Sequence, residues 1–236
     1  MEHMNLKEWI QQRVEKGQEG VFLADSVRNA NVLLRRNGDS RGISTGSLED
    51  LAYPYVIRAL AEKGEFDAPQ RVGVEEAAVI LKGIIRDPKS EIHFIPESSI
   101  CRMALKDILF AINQIRKGRP ISGSGDAKSM GGRVGELLHL KELYEKELEN
   151  TQCYDAGRIL KCALEYLTEH PERGDLHIAM ISGMEVSDLE RCFAEAVTTK
   201  GSLCEVQAAP EEAEKEQFSE IVFFRGWGIL NEIRTL

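Results

Sequence analysis

The sequence lacks the features that mark several common protein classes. It contains no C-x-x-C pair, and its five cysteines stand at irregular spacings. This usage argues against a disulfide framework or a zinc ribbon and favours reduced thiols in a cytoplasm. No apolar run approaches the roughly 18 residues of a membrane span, and the start lacks a basic region followed by an apolar one. We expect a soluble, cytoplasmic protein with no membrane partner.

Signatures of catalysis are missing as well. The five histidines form neither H-x-x-x-H nor H-E-x-x-H. Residues 122–129 approach the phosphate-loop pattern G-x-x-x-x-G-K-[ST], but Ser122 and Ala127 occupy both diagnostic glycine positions. This stretch also follows a helical pattern, whereas a phosphate loop leaves a strand. We expect a linker here, and predict no catalytic residue, metal site, nucleotide site or cofactor.

The charge balance limits the partners. The formal net charge is -9 and the isoelectric point is near 5.2, which argues against coating nucleic acid by bulk electrostatics. Any contact with nucleic acid must be local. With 236 residues, 42% of them hydrophobic, the chain can bury a core and fits one or two domains.

Strands and helices alternate at the start of the chain. A helix is predicted over Leu6–Lys16, a strand over residues 21–24 and a helix over Val27–Arg36. A short strand at Ile43–Thr45 then precedes a helix capped by Ser47. This alternation predicts an α/β layer with parallel strands.

From about residue 66 to 167 the pattern predicts helices only, over residues 74–85, 98–117, 134–149 and 155–169. Strands return at residues 176–181 and at Ser202–Gln207, with a helix opened by Ser187 between them. We predict an α/β domain of residues 1–60 plus 170–236, interrupted by an inserted all-helical subdomain of residues 61–169.

Two aspartates, Asp25 and Asp188, directly follow predicted strands, where α/β proteins place ligands. Helix capping explains them more simply. At the end of the chain, residues 221–229 form an apolar run that predicts a strand, and Asn231 should open a helix. Because such a unit needs a covering element, we expect the chain to be a piece of a longer protein or to dock its terminus on a partner. An ordinary edge strand with a frayed tail is the alternative.

In order, these segments resemble superfamily-one helicase motors of the UvrD, RecB and AddB type. Val21-Phe-Leu-Ala-Asp-Ser26 and Gly42-Ile-Ser-Thr-Gly-Ser-Leu-Glu-Asp-Leu-Ala52 resemble the second strand and the following T-x-x-x-L-A segment. Leu137-Leu-His-Leu-Lys-Glu-Leu-Tyr-Glu-Lys-Glu-Leu148, with Asp155 and Ile159-Leu-Lys-Cys-Ala-Leu164, resembles helices of the inserted 1B subdomain. Phe223-Phe-Arg-Gly-Trp-Gly-Ile-Leu-Asn-Glu-Ile233 resembles the segment leading to the second motor domain.

The resemblance implies a RecA-like layer. The sequence differs from the family, however, in the two motifs that bind and hydrolyse ATP. Neither a strand nor a Walker A loop is found before Leu6, and the Walker B region reads Ile181-Ser-Gly-Met-Glu-Val-Ser-Asp188 without its acidic pair. The AddB-like branch, with a degenerate motor and a PD-(D/E)XK nuclease elsewhere in the parent protein, is therefore implied.

In that family the region near the second strand contacts the DNA backbone. The candidate DNA-binding residues are Arg28, Arg35, Arg36 and Arg41, although a solvated helix end is the simpler interpretation. Implied partners are single-stranded DNA, the rest of the parent protein or an AddA-like helicase subunit. Two alternatives stay open: a nucleotide-dependent enzyme with a divergent phosphate site near Asp25 and Ser26 or in residues 123–132, and a protein-interaction module.

Overall fold

The computed structural model describes residues 3–37, 40–93, 95, 100–118 and 133–207. Seven strands lie within them: β1 His3–Asn5, β2 Gly20–Leu23, β3 Ile43–Thr45, β4 Gln70–Arg71, β5 Cys153–Tyr154, β6 His177–Ile181 and β7 Ser202–Gln207. The α-helices there are α1 Leu6–Lys16, α2 Val27–Arg36, α3 Leu48–Glu62, α4 Val74–Arg86, α5 Arg102–Lys117, α6 Arg133–Asn150, α7 Ala156–Glu169 and α8 Asp188–Val197. None of these described helices is long and apolar enough to cross a membrane.

A parallel sheet organises the molecule. Its strand order is β1-β7-β6-β2-β3, and every neighbouring pair is parallel. The central pair joins early and late parts of the chain, with Val21 opposite Ile178 and Leu23 opposite Met180. The α/β class with parallel strands predicted from the sequence is confirmed.

Side-chain caps explain where most of the helices begin. The Ser26, Ser47 and Ser187 hydroxyls accept hydrogen bonds from the first-turn amides of α2, α3 and α8. Glu190 completes a capping box by accepting from the Ser187 amide at 2.9 Å. The expectation that Asp25 and Asp188 are the caps is therefore wrong, because the neighbouring serines take that position.

Alternating strand residues cover the two faces of the sheet with apolar groups. On one face, Phe22 and Ala179 pack with α1 and α2. On the other, Val21 and Ile178 pack with α3, α7 and α8. Both faces are buried, as a parallel sheet requires.

The segment between β3 and β6 builds a core of its own. Apolar residues of α4, α5 and α6 form a separate cluster that includes Leu81, Leu109 and Leu140. The expectation of helices alone is wrong at two short places, because β4 pairs with β5 in parallel. Strands of two residues are too short to show an alternating pattern.

Helix α7 lies against the sheet domain. Its buried residues, among them Ile159 and Leu160, belong to the apolar cluster shared with α3 and α8. The division at residues 61–169 stays a prediction, and this packing favours an inserted segment that ends before α7.

Two ion pairs join the helical segment to the sheet domain. The Arg116 guanidinium donates to both Asp155 carboxylate oxygens, at 2.5 and 3.1 Å, and the Lys117 ammonium donates to Glu190 at 2.7 Å. Both pairs lie at the end of α5, so this end is fixed to α7 and α8.

Candidate nucleic-acid interface

The carboxyl ends of β2 and β6 are the first place to look for a ligand. The helices that follow these neighbouring strands, α2 and α8, lie on opposite faces of the sheet, which opens a crevice at the strand ends. Ser26 is occupied there as the cap of α2, its hydroxyl accepting from the Asn29 amide at 3.1 Å. Asp25 is exposed beside it.

The junction between β1 and α1 leaves no space for a phosphate loop. The expectation that no strand precedes α1 is wrong, because β1 is paired with β7. However, β1 ends at Asn5 and α1 begins at Leu6. The Asn5 side chain accepts from the Lys7 amide at 2.9 Å, so a side chain occupies the position where a bound phosphate would meet first-turn amides.

The end of β6 carries no acidic pair. Ser182 and Gly183 follow the strand, and Gly183 has a left-handed φ of 82°. The Gly183 amide donates to the Glu205 carboxylate on β7 at 3.3 Å. A backbone turn bonded to β7 therefore follows β6 directly.

Charged residues lie at both ends of the sheet. Helices α2, α3 and α8 start at the carboxyl edge with acidic neighbours such as Asp25, Asp50 and Asp188. Helices α1 and α2 end at the amino edge with Lys16, Arg35 and Arg36 in their last turns. These placements complement the helix dipoles, although α3 and α8 carry no basic residue in their last turns and α3 ends at Glu62.

The structure brings together three of the four candidate arginines. Arg35 and Arg36 end α2, and Arg41 precedes β3 at the same edge of the sheet. The loop holding Arg41 lies beside the α1–β2 turn, because the Gly20 amide donates to the Gly42 carbonyl at 2.9 Å. All four arginines are exposed.

Arg28 lies apart, in the first turn of α2. Arg28 and Arg35 are seven positions apart, which is about 10 Å along the helix, and both face the same side. Helix α2 contains no acidic residue. The four arginines therefore follow one outer face of α2 and the adjoining amino edge.

A buried polar cluster at the amino edge was missed by sequence reasoning. The Arg13 guanidinium, 9% exposed, donates to Gln18 Oε1 at 2.7 Å and to Ser202 Oγ at 2.9 Å. His177 Nδ1 lies 3.0 Å from the same Ser202 hydroxyl. These residues lie up to 189 positions apart in sequence, and no local pattern signals their meeting.

Burial lowers the pKa of His177, and the charge of Arg13 lowers it further. Burial raises the pKa of Cys204, on the neighbouring strand, to about 11. The Cys204 thiol is therefore protonated near neutral pH, and it contacts the Ile178 carbonyl at 3.7 Å.

A cavity of about 330 Å³ lies between the helical segment and the sheet domain. The charged residues that line this cavity form ion pairs within the protein. Arg71 pairs with Glu49 at 2.6 Å, and Asp155 pairs with Arg116. Within the described residues, no group of three His, Cys, Asp or Glu side chains could hold a metal ion. The glycine-rich residues 123–132 and the predicted strand at 221–229 lie outside the described residues.

Comparison with protein-family models finds no match to this chain, and comparison with curated proteins finds none either.

Proposed function

We propose that this chain is a noncatalytic, helicase-like part of a bacterial, cytoplasmic DNA-repair helicase-nuclease. It acts as a scaffold and as a weak single-stranded DNA contact, and it works with the rest of its parent protein or with an AddA-like helicase subunit. The observation that carries the proposal is a parallel sheet whose strand ends lack both parts of an ATPase site, at Asn5 and at Ser182.

The course of the chain supports this proposal. A helical segment with its own apolar cluster follows β3, and the chain then returns to place β6 directly against β2. This matches the interrupted motor domain that the resemblance implies.

The strand ends support a role without ATP hydrolysis. Hydrolysis needs amides that cradle the phosphates and carboxylates that hold Mg²⁺. Helix α1 begins at the residue that follows the end of β1, so no loop lies between them. After β6, a turn with Gly183 is found in place of an acidic pair.

A DNA contact would be local and salt-sensitive. The exposed arginines of α2 and the amino edge offer up to four phosphate contacts on a chain of net charge -9. We therefore expect at best micromolar affinity. Each phosphate contact on a single strand contributes about -0.7 to the slope of the logarithm of the binding constant against the logarithm of salt concentration. Four contacts therefore predict that the binding constant falls about 50-fold between 50 and 200 mM salt.

Fluorescence anisotropy with a labelled single-stranded oligonucleotide tests this contact. Arg28, Arg35, Arg36 and Arg41 are replaced together by Ala in one variant. A matched control removes four exposed charges from the helical segment and α7: Arg86, Lys89, Lys146 and Lys161.

The four-arginine variant should lose binding and its salt dependence, and the control should bind like the unmodified chain. Equal binding by both variants would rule out these arginines. Absence of binding by the unmodified chain at 50 mM salt would remove the DNA contact and leave only the scaffold role.

A further inference from the structure

Arg13 carries a buried charge without a buried counter-charge. Two of its five N–H groups are used, by the neutral side chains of Gln18 and Ser202, and its buried Nε–H has no partner. Among the described residues no carboxylate contacts the guanidinium, whose other neighbour is the Trp9 ring at 6.0 Å. Buried charges in proteins are normally paired, so this guanidinium lacks an anion.

The groups around Arg13 are those that bind an oxyanion. Ser202 Oγ and the His177 ring, which lie within 3.0 Å of each other, are both partly exposed, whereas Arg13 is buried behind them. Lys16 adds a positive charge one turn further along α1. We propose that Arg13, Ser202 and His177 form a binding site for a phosphate-type oxyanion at the amino edge of the sheet.

The position suggests two sources for this phosphate. It could be free inorganic phosphate, or a backbone phosphate of a single strand that also follows Arg35 and Arg41 at the same edge. Only the second source depends on the proposed DNA contact. The phosphate site is argued only from Arg13 and its neighbours. The phosphate site and the DNA contact can therefore be disproved separately.

Nuclear magnetic resonance of the His177 ring tests the site directly in the full chain. Sodium phosphate is titrated against sodium chloride of equal ionic strength, in a phosphate-free buffer. The His177 signals should move in a saturable way with phosphate and stay fixed with chloride. Thermal unfolding should show a matching rise in melting temperature with phosphate, because a ligand that binds the folded state stabilises it.

Variants separate binding from folding. Arg13→Gln should weaken phosphate binding at least about tenfold, since a charge-assisted hydrogen bond is lost. Ser202→Ala removes only a hydroxyl and should weaken binding while leaving the fold intact, so the test survives if Arg13→Gln does not fold. Arg35→Gln, at an exposed position on the same edge, is the control and should bind phosphate normally.

A single-stranded oligonucleotide without terminal phosphate identifies the source. If it moves the same His177 signals and competes with phosphate, the backbone is a ligand. If phosphate alone binds, the site is for free phosphate and the DNA contact fails at this position. Equal movement of the His177 signals in chloride, or unchanged phosphate binding by folded Ser202→Ala and Arg13→Gln, would overturn the proposal.

Discussion

At the scale of single residues, Arg116 joins three helices. Its guanidinium bonds Asp155 and Glu145 and lies over the Tyr144 ring, and its side chain is 7% exposed. Burial lowers the pKa of Arg116, but the hydrogen bond with Asp155 and the charges of Asp155 and Glu145 together raise it above its ordinary value. Burial also raises the pKa of Tyr144, whose hydroxyl donates to Asp155 at 3.1 Å. One side chain therefore ties α5, α6 and α7 together.

Arg116→Gln should destabilise the protein by about 3–5 kcal/mol, because Asp155 is left as an uncompensated buried charge. The matched control is Arg102→Gln on the same helix, which breaks an exposed pair with Glu75 and should leave urea unfolding unchanged. Equal effects of the two substitutions would show that the Arg116 network has no structural role.

His177 predicts a pH dependence of stability. Its folded-state pKa is lowered from 6.5 by burial, Arg13 and Lys16, and Asp175 opposes this. The unfolded chain then binds the proton more readily, so this contribution is present above about pH 6.5 and is lost as pH falls through the lower folded-state pKa. In denaturant melts from pH 7.5 to 5.5 without phosphate, His177→Asn should show a smaller decline than the unmodified chain. An identical decline would contradict this.

The cysteines should react in two classes. Cys101 and Cys192 are exposed, whereas Cys153 is buried and burial raises the pKa of both Cys162 and Cys204. Because the thiolate is the reactive form, two thiols should be alkylated rapidly by iodoacetamide at pH 7.5. Intact mass spectrometry followed by peptide mapping measures this. Labelling of Cys204 as fast as Cys101 would be inconsistent with its burial against β6.

At the scale of elements, the sequence predicts those with local signals. Helices α1 and α2 have the predicted bounds, since an apolar face and a capping side chain define each. Strand β1 was missed because its three residues become a strand only by pairing with β7. The β4–β5 pair was missed for the same reason, with partners more than 80 residues apart.

One glycine contact fixes how the chain enters β7. A Cβ atom on Gly201 would lie 1.8 Å from the Leu176 carbonyl oxygen, a group that accepts from the Ser202 amide. Gly201→Ala should therefore cost at least about 2 kcal/mol through displaced backbone. Gly46→Ala is the control, since a Cβ there meets nothing within 4 Å, and it should change stability by under about 1 kcal/mol. Comparable urea midpoints for the two variants would contradict this packing.

For the whole molecule, the candidate site was only partly predictable. The four arginines could be chosen from their positions near the second strand. That three of them share an edge with Lys16, Arg13 and His177 follows from the strand order, because β6 and β7 bring distant residues beside α1.

We propose that the carboxyl ends of β1 and β6 form no nucleotide site. Isothermal titration calorimetry with ATP and Mg²⁺ tests it most directly, because binding is measured without assuming any activity. We predict no saturable heat at micromolar nucleotide, since Asn5 caps α1 directly and Ser182 and Gly183 replace the acidic pair. A dissociation constant below about 10 μM, equivalent to roughly -7 kcal/mol, would show that the sheet does bind nucleotide.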